Sequence, residues 1–177
     1  MPLGVVLLAT LIKELLEDRK RHSADTTVNN RPCKVFREGT FQTIRWTQIK
    51  VGDVVQILDR QFFPADLVLL ASSEPQAMCY VETASLDGET NLKIRQGLPE
   101  TAGITSTREV RGLSGRVVCE QPNNRLYKFV GNIHFTSSIH LSEQSLPLSA
   151  DQMLLRGAQL RNTQWVYGIV VYTGHES

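Results

Sequence analysis

The chain has 177 residues, enough for one domain with its own core, and its 41% hydrophobic and 21% charged content is that of a folded globular protein. A formal net charge of +1 excludes the global basic field that marks a nucleic-acid binder, so no nucleic-acid partner is expected. Cys33, Cys79 and Cys119 are widely spaced and odd in number, which argues against a disulfide framework and suits a reducing, cytosolic setting; they and the four histidines show no metal-ligand spacing, so no metal site is expected.

The chain opens on an apolar run, Pro2 to Ile12, broken only by Thr10. About 11 residues at roughly 1.5 Å each reach about 17 Å, short of a bilayer core of about 30 Å. No basic residue precedes the run and no small-residue cleavage site closes it, so it is a poor signal peptide. Leu11, Leu15 and Leu16 continue a helical stripe into the charged stretch Lys13 to Arg21, which predicts a helix to about Ala24. Two readings stand: an amphipathic helix packed on the domain, or the cytosolic end of a transmembrane helix flanked by positive charge.

Beyond the loop signal Asn29-Asn30-Arg31-Pro32 the period changes. Cys33–Arg37 and Thr40–Trp46 read as strands around a Glu38-Gly39 turn, and Val51–Leu58 as a third strand entered through Gly52-Asp53. Pro64-Ala65-Asp66 leads into Leu67–Ala71, apolar enough to be buried on both faces. Gly52 and Pro64 are expected to shape turns and Asp66 to brace backbone amides. Met78–Val81 and Leu92–Ile94 are strand-like runs around a central loop. Glu100 to Gly115 is polar, with a short helix predicted around Arg108 to Leu113. Gly115–Glu120 reads as a strand, with Leu126–Val130 as its partner and Asn132–Phe135 as an extension. Ser137–Ser149 reads as a polar insert, and Trp165 onward as a last strand rich in β-branched and aromatic residues. Strands at this spacing, with Gly, Pro and Asn turns, predict a mainly β sandwich or barrel.

The central loop is Thr83-Ala84-Ser85-Leu86-Asp87-Gly88-Glu89-Thr90-Asn91-Leu92-Lys93. Asp87-Gly88 is a turn signal, since Gly tolerates positive φ and Asp bonds its own backbone. A turn there sends Glu89 to a loop tip. On spacing alone this reads as a solvated hairpin turn.

These eleven residues resemble the Asp-Gly-Glu-Thr loop of the actuator domain of P-type ATPases, specifically the type IV branch, the phospholipid flippases. Other branches more often carry Thr-Gly-Glu-Ser or Asp-Gly-Glu-Ser. Further matches are Gly52-Asp53-Val54-Val55 with Pro64-Ala65-Asp66, Pro122-Asn123, Leu126-Tyr127, Gly131-Asn132-Ile133 and Arg156 to Thr163. Ile12 to Asp18 with Arg21 to Asp25 looks like the stalk leaving the second transmembrane helix of flippases, which favours the second reading of the N-terminal segment.

The resemblance implies a distorted jelly roll, a sandwich like a double-stranded β-helix, with an N-terminal helix and one short internal helix. It implies a stalk over residues 1–25 and an actuator domain over residues 26–177, between the second and third transmembrane helices. It assigns Glu89 to orienting and deprotonating the water that hydrolyses an aspartyl-phosphate. Gly88 then allows close backbone approach, Thr90 supplies a hydroxyl, and Asp87 stabilises the loop, because a second carboxylate beside a phosphoryl dianion is repelled. The chain has neither an Asp-Lys-Thr-Gly phosphorylation sequence nor a Gly-x-x-x-x-Gly-Lys-Ser/Thr phosphate loop. No ATPase activity is therefore expected of it alone, and no cofactor in it. Mg²⁺ and ATP belong to the full-length enzyme. The implied partners are the phosphorylation and nucleotide-binding domains of the same polypeptide, its transmembrane helices, a phospholipid substrate and a Cdc50-family β-subunit. The implied location is the cytosolic side of a Golgi, endosomal or plasma membrane.

Three alternatives remain open on the residues. A cation-pump actuator is disfavoured by Thr90 and by the Thr83–Leu86 and Arg156–Thr163 stretches. A non-catalytic β-sandwich interaction module makes Glu89 an ordinary exposed acid. A glycosidase-like pair of Asp87 and Glu89 is disfavoured because acids two apart on one loop seldom face each other at about 5–9 Å.

Overall fold

The computed structural model describes residues 3–123, 125, 127–135 and 144–174. Helix α1 (Leu3–Asn29) leads into β1 (Pro32–Arg37), β2 (Thr40–Arg45), β3 (Val54–Leu58), β4 (Asp66–Ser72) and β5 (Met78–Glu82). A single helical turn, α2 (Ala84–Asp87), precedes β6 (Lys93–Gln96), and α3 (Thr107–Arg111) precedes β7 (Gly115–Cys119). The remaining strands are β8 (Gly131–Phe135), β9 (Gln144–Leu148), β10 (Met153–Leu154), β11 (Gln159–Arg161) and β12 (Trp165–Tyr172). The expected mainly β sandwich with an N-terminal helix is therefore the observed class. Among the described residues two short internal α-helices stand where one was expected, the added one being the turn at the central loop.

Helix α1 continues five residues past the expected end. Thr26 and Thr27 are poor helix formers, but their hydroxyls donate to the carbonyls of His22 (2.7 Å) and Ser23 (2.8 Å), one turn back. Asn30 then caps the end, its side-chain amide donating to the Thr26 carbonyl at 2.8 Å, and Pro32 follows. Leu7, Leu11, Ile12, Leu15 and Leu16 are 51–65% exposed. The helix thus holds these side chains away from the β body, which does not match an amphipathic helix packed on the domain. No helix among the described residues is long and apolar enough to cross a membrane.

The strands form a six-stranded sheet ordered β10-β4-β12-β3-β1-β2 and two three-stranded sheets, β11-β5-β6 and β7-β8-β9. Every pairing is antiparallel. Strand β4 explains how they stack. Leu67 and Leu69 enter one core with Val55, Ile57, Cys79, Val81, Leu160 and Val166. Val68, Leu70 and Ala71 enter a second core with Phe129, Ile133, Leu148 and Tyr167. The large sheet is therefore the shared middle layer, with one small sheet packed on each face, and the continuous apolar run of β4 is what burial on both faces requires. Leu70 and Ala71, though adjacent, face the same core because the pairing with β12 shifts register between Tyr167 and Gly168.

Turn chemistry follows the expected signals. Glu38 (φ 53°) and Gly39 (φ 81°) join β1 to β2 with positive φ at both central residues, as a tight hairpin requires. Gly52 (φ 90°) turns the chain before Asp53, whose carboxylate accepts from the Lys50 amide (2.8 Å) and the Arg37 guanidinium (2.6 and 3.2 Å). Helix α3 begins one residue before the expected start and ends at Arg111. Ser106 and Glu109 make a capping box at its start, and Arg111 donates to the Gly39 carbonyl at 2.8 Å.

Two expectations shift in the second half. The partner of β7 is β8, starting at Gly131; residues 127–130 are not strand, and Leu126 lies outside the described residues. Of the Ser137–Ser149 insert, residues 137–143 lie outside the described residues, and Gln144–Leu148 is strand β9 on the edge of the third sheet. Cys33 and Cys79 are buried free thiols, and burial pushes both up to about 12, far from reactive at neutral pH.

Leu69 is 1% exposed in the first core. Leu69→Ala is expected to cost about 2–5 kcal/mol, read as a lower urea midpoint with an unchanged slope. A loss below about 1 kcal/mol would contradict the two-core packing.

Candidate functional site

The central loop leaves the end of β5 and returns as β6, its neighbour in the second sheet. It does not cross as a tight Asp-Gly hairpin turn. Thr83 is buried, and its carbonyl accepts from the amides of Leu86 (2.8 Å) and Asp87 (3.1 Å), starting the helical turn α2. Leu86 packs against the first core, which supplies the apolar contact that selects a helical turn over a β-turn. Gly88 ends the turn in the left-handed region (φ 75°), its amide donating to the Ala84 carbonyl at 3.1 Å. A Cβ at Gly88 would meet nothing within 4 Å, so its outer side is open to anything that approaches the loop.

Asp87 faces inward and is 15% exposed. Its carboxylate accepts from the Thr83 hydroxyl (3.0 and 3.1 Å), the Glu89 amide (3.0 Å), the Lys93 ammonium (2.5 Å) and the Tyr127 phenol. The Lys93 hydrogen bond, then the Glu89 amide and the Thr83 hydroxyl, hold the Asp87 carboxyl below the usual carboxylate range. Partial desolvation opposes the charge on Lys93, but the bonds and charges of Asp87 and Glu89 outweigh it and raise the ammonium. Glu89 points outward, 61% exposed, with Oε2 at 2.9 Å from Lys93. Thr90 is exposed beside it. The chain thus divides the two acids: Asp87 is consumed in holding the loop, and Glu89 is displayed.

A second set of bonds ties the loop to the central sheet. The Ser85 hydroxyl donates to the Gly157 carbonyl at 2.7 Å. Gly157 (φ 83°) donates its amide to the Phe63 carbonyl at 3.0 Å. The neighbouring Arg156 amide donates to Asp66 at 2.8 Å. Burial raises the Asp66 carboxyl, and the Arg156 amide and charge offset part of that rise. Arg161 pairs with Glu82 at 2.6 Å, across β11 and β5. A cleft of about 370 Å³ opens beside the loop, between Leu86, Gly157, Phe129 and Met153, with Arg125, Lys128 and Arg156 among its lining.

Asp87 and Glu89 both bond to one lysine, and among the described residues no group of three or more His, Cys, Asp or Glu side chains gathers to hold an ion. The loop can instead offer one exposed carboxylate from a braced turn. The expected loop residues Asp87, Gly88, Glu89 and Thr90 lie together. The sequence reading missed Lys93 and Tyr127 as parts of the site. Lys93 stands four residues after Glu89 on a non-helical stretch, where that spacing carries no ion-pair signal; Tyr127 is 40 residues from Asp87 and carries no local signal.

The P-type ATPase actuator domain family model matches residues 27–177. The chain belongs to this family. The actuator domain is 56% identical over 176 residues to "Phospholipid-transporting ATPase C887.12" of Schizosaccharomyces pombe, covering 99% of this chain and 14% of that protein. It is 45% identical over 175 residues to "Phospholipid-transporting ATPase DRS2" of Saccharomyces cerevisiae, covering 98% of this chain and 12% of that protein. Against the human "Phospholipid-transporting ATPase ID" it is 43% identical over 177 residues, covering 100% of this chain and 14% of that protein. The chain therefore spans only 12–14% of the length of these relatives.

The lowered Asp87 carboxyl gives the actuator domain a pH signature. A depressed acid contributes stability that is complete above its unfolded value of about 3.9 and is lost as pH falls through its lower folded value. Carboxyl ¹³C NMR is expected to place the Asp87 midpoint below about 3.9. A midpoint at or above it would contradict the four-donor arrangement.

Proposed function

We propose that this chain is the actuator domain of a phospholipid flippase, with Glu89 as the group that hydrolyses the aspartyl-phosphate of a separate phosphorylation domain. The observation that carries the reading is the display of Glu89, 61% exposed, on a loop whose other acid is fully engaged. The names of these three relatives, all phospholipid-transporting ATPases, supply the substrate class.

In this reading the domain rotates onto the phosphorylated partner and brings Glu89 to a water in line with phosphorus. The carboxylate orients that water and takes one of its protons. The water oxygen forms a bond to phosphorus as the bond to the aspartyl oxygen breaks, leaving a free aspartate and inorganic phosphate. General-base assistance of this kind is worth on the order of 10²–10⁴ in rate. Gly88 lets the backbone come close to the phosphoryl oxygens, and Thr90 can donate its hydroxyl to one of them. Mg²⁺ and ATP act on the other domains.

Residues 1–25 form the stalk from the second transmembrane helix, and residues 26–177 the actuator domain proper. Through both connections to the membrane helices, dephosphorylation is coupled to movement of a phospholipid to the cytosolic leaflet. The whole protein lies in a Golgi, endosomal or plasma membrane, with a Cdc50-family β-subunit.

The test uses the full-length protein, phosphorylated with labelled ATP and chased. Glu89→Gln is expected to form phosphoenzyme normally and to lose it 10²–10⁴-fold, in order of magnitude, more slowly than wild type. Equal decay would make Glu89 a surface acid and end the reading.

A further inference from the structure

Lys93 bonds both acids of the loop, with Nζ 2.5 Å from Asp87 Oδ2 and 2.9 Å from Glu89 Oε2. It is itself held from a distant segment. Its ammonium donates to the Tyr127 hydroxyl at 2.5 Å and lies 4.2 Å from the ring centroid, while that hydroxyl donates onward to Asp87. Glu89 is exposed, yet its anchor is not: the Lys93 side chain is 20% exposed and the Asp87 side chain 15%. The ion pair engages Oε2 of Glu89.

We propose that Lys93 and Tyr127 are positioning residues for Glu89, Lys93 tethering its carboxylate and offsetting loop charge, and Tyr127 holding Lys93 in place. This inference rests on the reading of Glu89 given above. Without Lys93, the loop would carry two uncompensated carboxylates towards a phosphoryl group of like charge, and electrostatic repulsion would oppose the approach. With it, one negative charge is offset inside the loop. The tether also removes rotamer freedom from an exposed glutamate, whose side chain would otherwise sample several staggered conformers. Geometry matters here because a misplacement of about 1 Å in a reacting group can cost about 10²-fold in rate. Tyr127 brings a residue from the connection between β7 and β8 into the site, so the third sheet contributes to the loop of the second.

The test is made on the full-length protein, phosphorylated with labelled ATP and chased with unlabelled ATP in vesicles of phosphatidylserine, phosphatidylethanolamine and phosphatidylcholine. Phosphoenzyme formation reports folding. Lys93→Met is expected to reach wild-type phosphoenzyme levels and to lose phosphate on the order of 10- to 10²-fold more slowly. Lys93→Arg, which keeps the charge, should recover most of the rate, and Tyr127→Phe should slow decay by a smaller factor. The double variant Glu89→Gln/Lys93→Met should decay like Glu89→Gln alone, since Lys93 acts through Glu89. Wild-type decay in Lys93→Met, with Glu89→Gln blocked, would overturn this proposal and leave the role of Glu89 standing. Additive losses in the double variant would overturn it too. Wild-type decay in Glu89→Gln would instead remove the reading on which it rests.

Discussion

One carboxylate, that of Asp87, receives a hydroxyl, a backbone amide, an ammonium and a phenol. The form of the functional loop depends on that convergence. The Thr83 hydroxyl ties Asp87 to the start of the helical turn, and the Glu89 amide ties it to the residue after the turn. Lys93 closes the loop onto the strand that follows. The charge is satisfied locally, so Asp87 becomes the internal brace of the loop. Glu89, two residues on, is left outside with a single ionic contact.

The brace would be of little use on a soft support. The loop joins β5 to β6, in a small sheet whose inner face shares a core with the large one. Ser85 reaches the Gly157 carbonyl, and the next residue along, Arg156, is held by Asp66 at the start of β4. The exposed carboxylate is thus connected, in a few bonded steps, to a strand buried at six of its seven positions. The proposed function, a domain that rotates as a body and presents one group, needs this kind of continuity between its loop and its core. Helix α1 is built differently, with exposed leucines that the β body does not cover.

Much of this was legible in the residues. Period-two and continuous apolar runs located β1, β3, β4, β5 and β12, because a strand buried on one or both faces must show its burial in its sequence. Glu38-Gly39 and Gly52 were readable as turns because they need positive φ. Three features were hidden for identifiable reasons. The continuation of α1 through Thr26 and Thr27 depends on hydroxyl bonds to the previous turn, which propensity alone does not foresee. The partner of β7 was placed a few residues early because Leu126–Val130 is as apolar as a strand, and only tertiary packing assigns Phe129 to the second core instead. Asp87-Gly88 reads as a hairpin turn, whereas packing of the half-buried Leu86 against the first core makes it the end of a helical turn. At the site, the loop residues stood out in sequence. The Tyr127 contact did not, because it joins segments 40 residues apart.

The most direct measurement is a structure of the full-length protein trapped with aluminium fluoride at the phosphorylated aspartate, a mimic of the hydrolytic transition state. The account predicts Glu89 within about 2.6–3.2 Å of the in-line water, with Asp87 still turned inward onto Lys93 and Tyr127. A loop docked with Glu89 in solvent and another group on that water would contradict it.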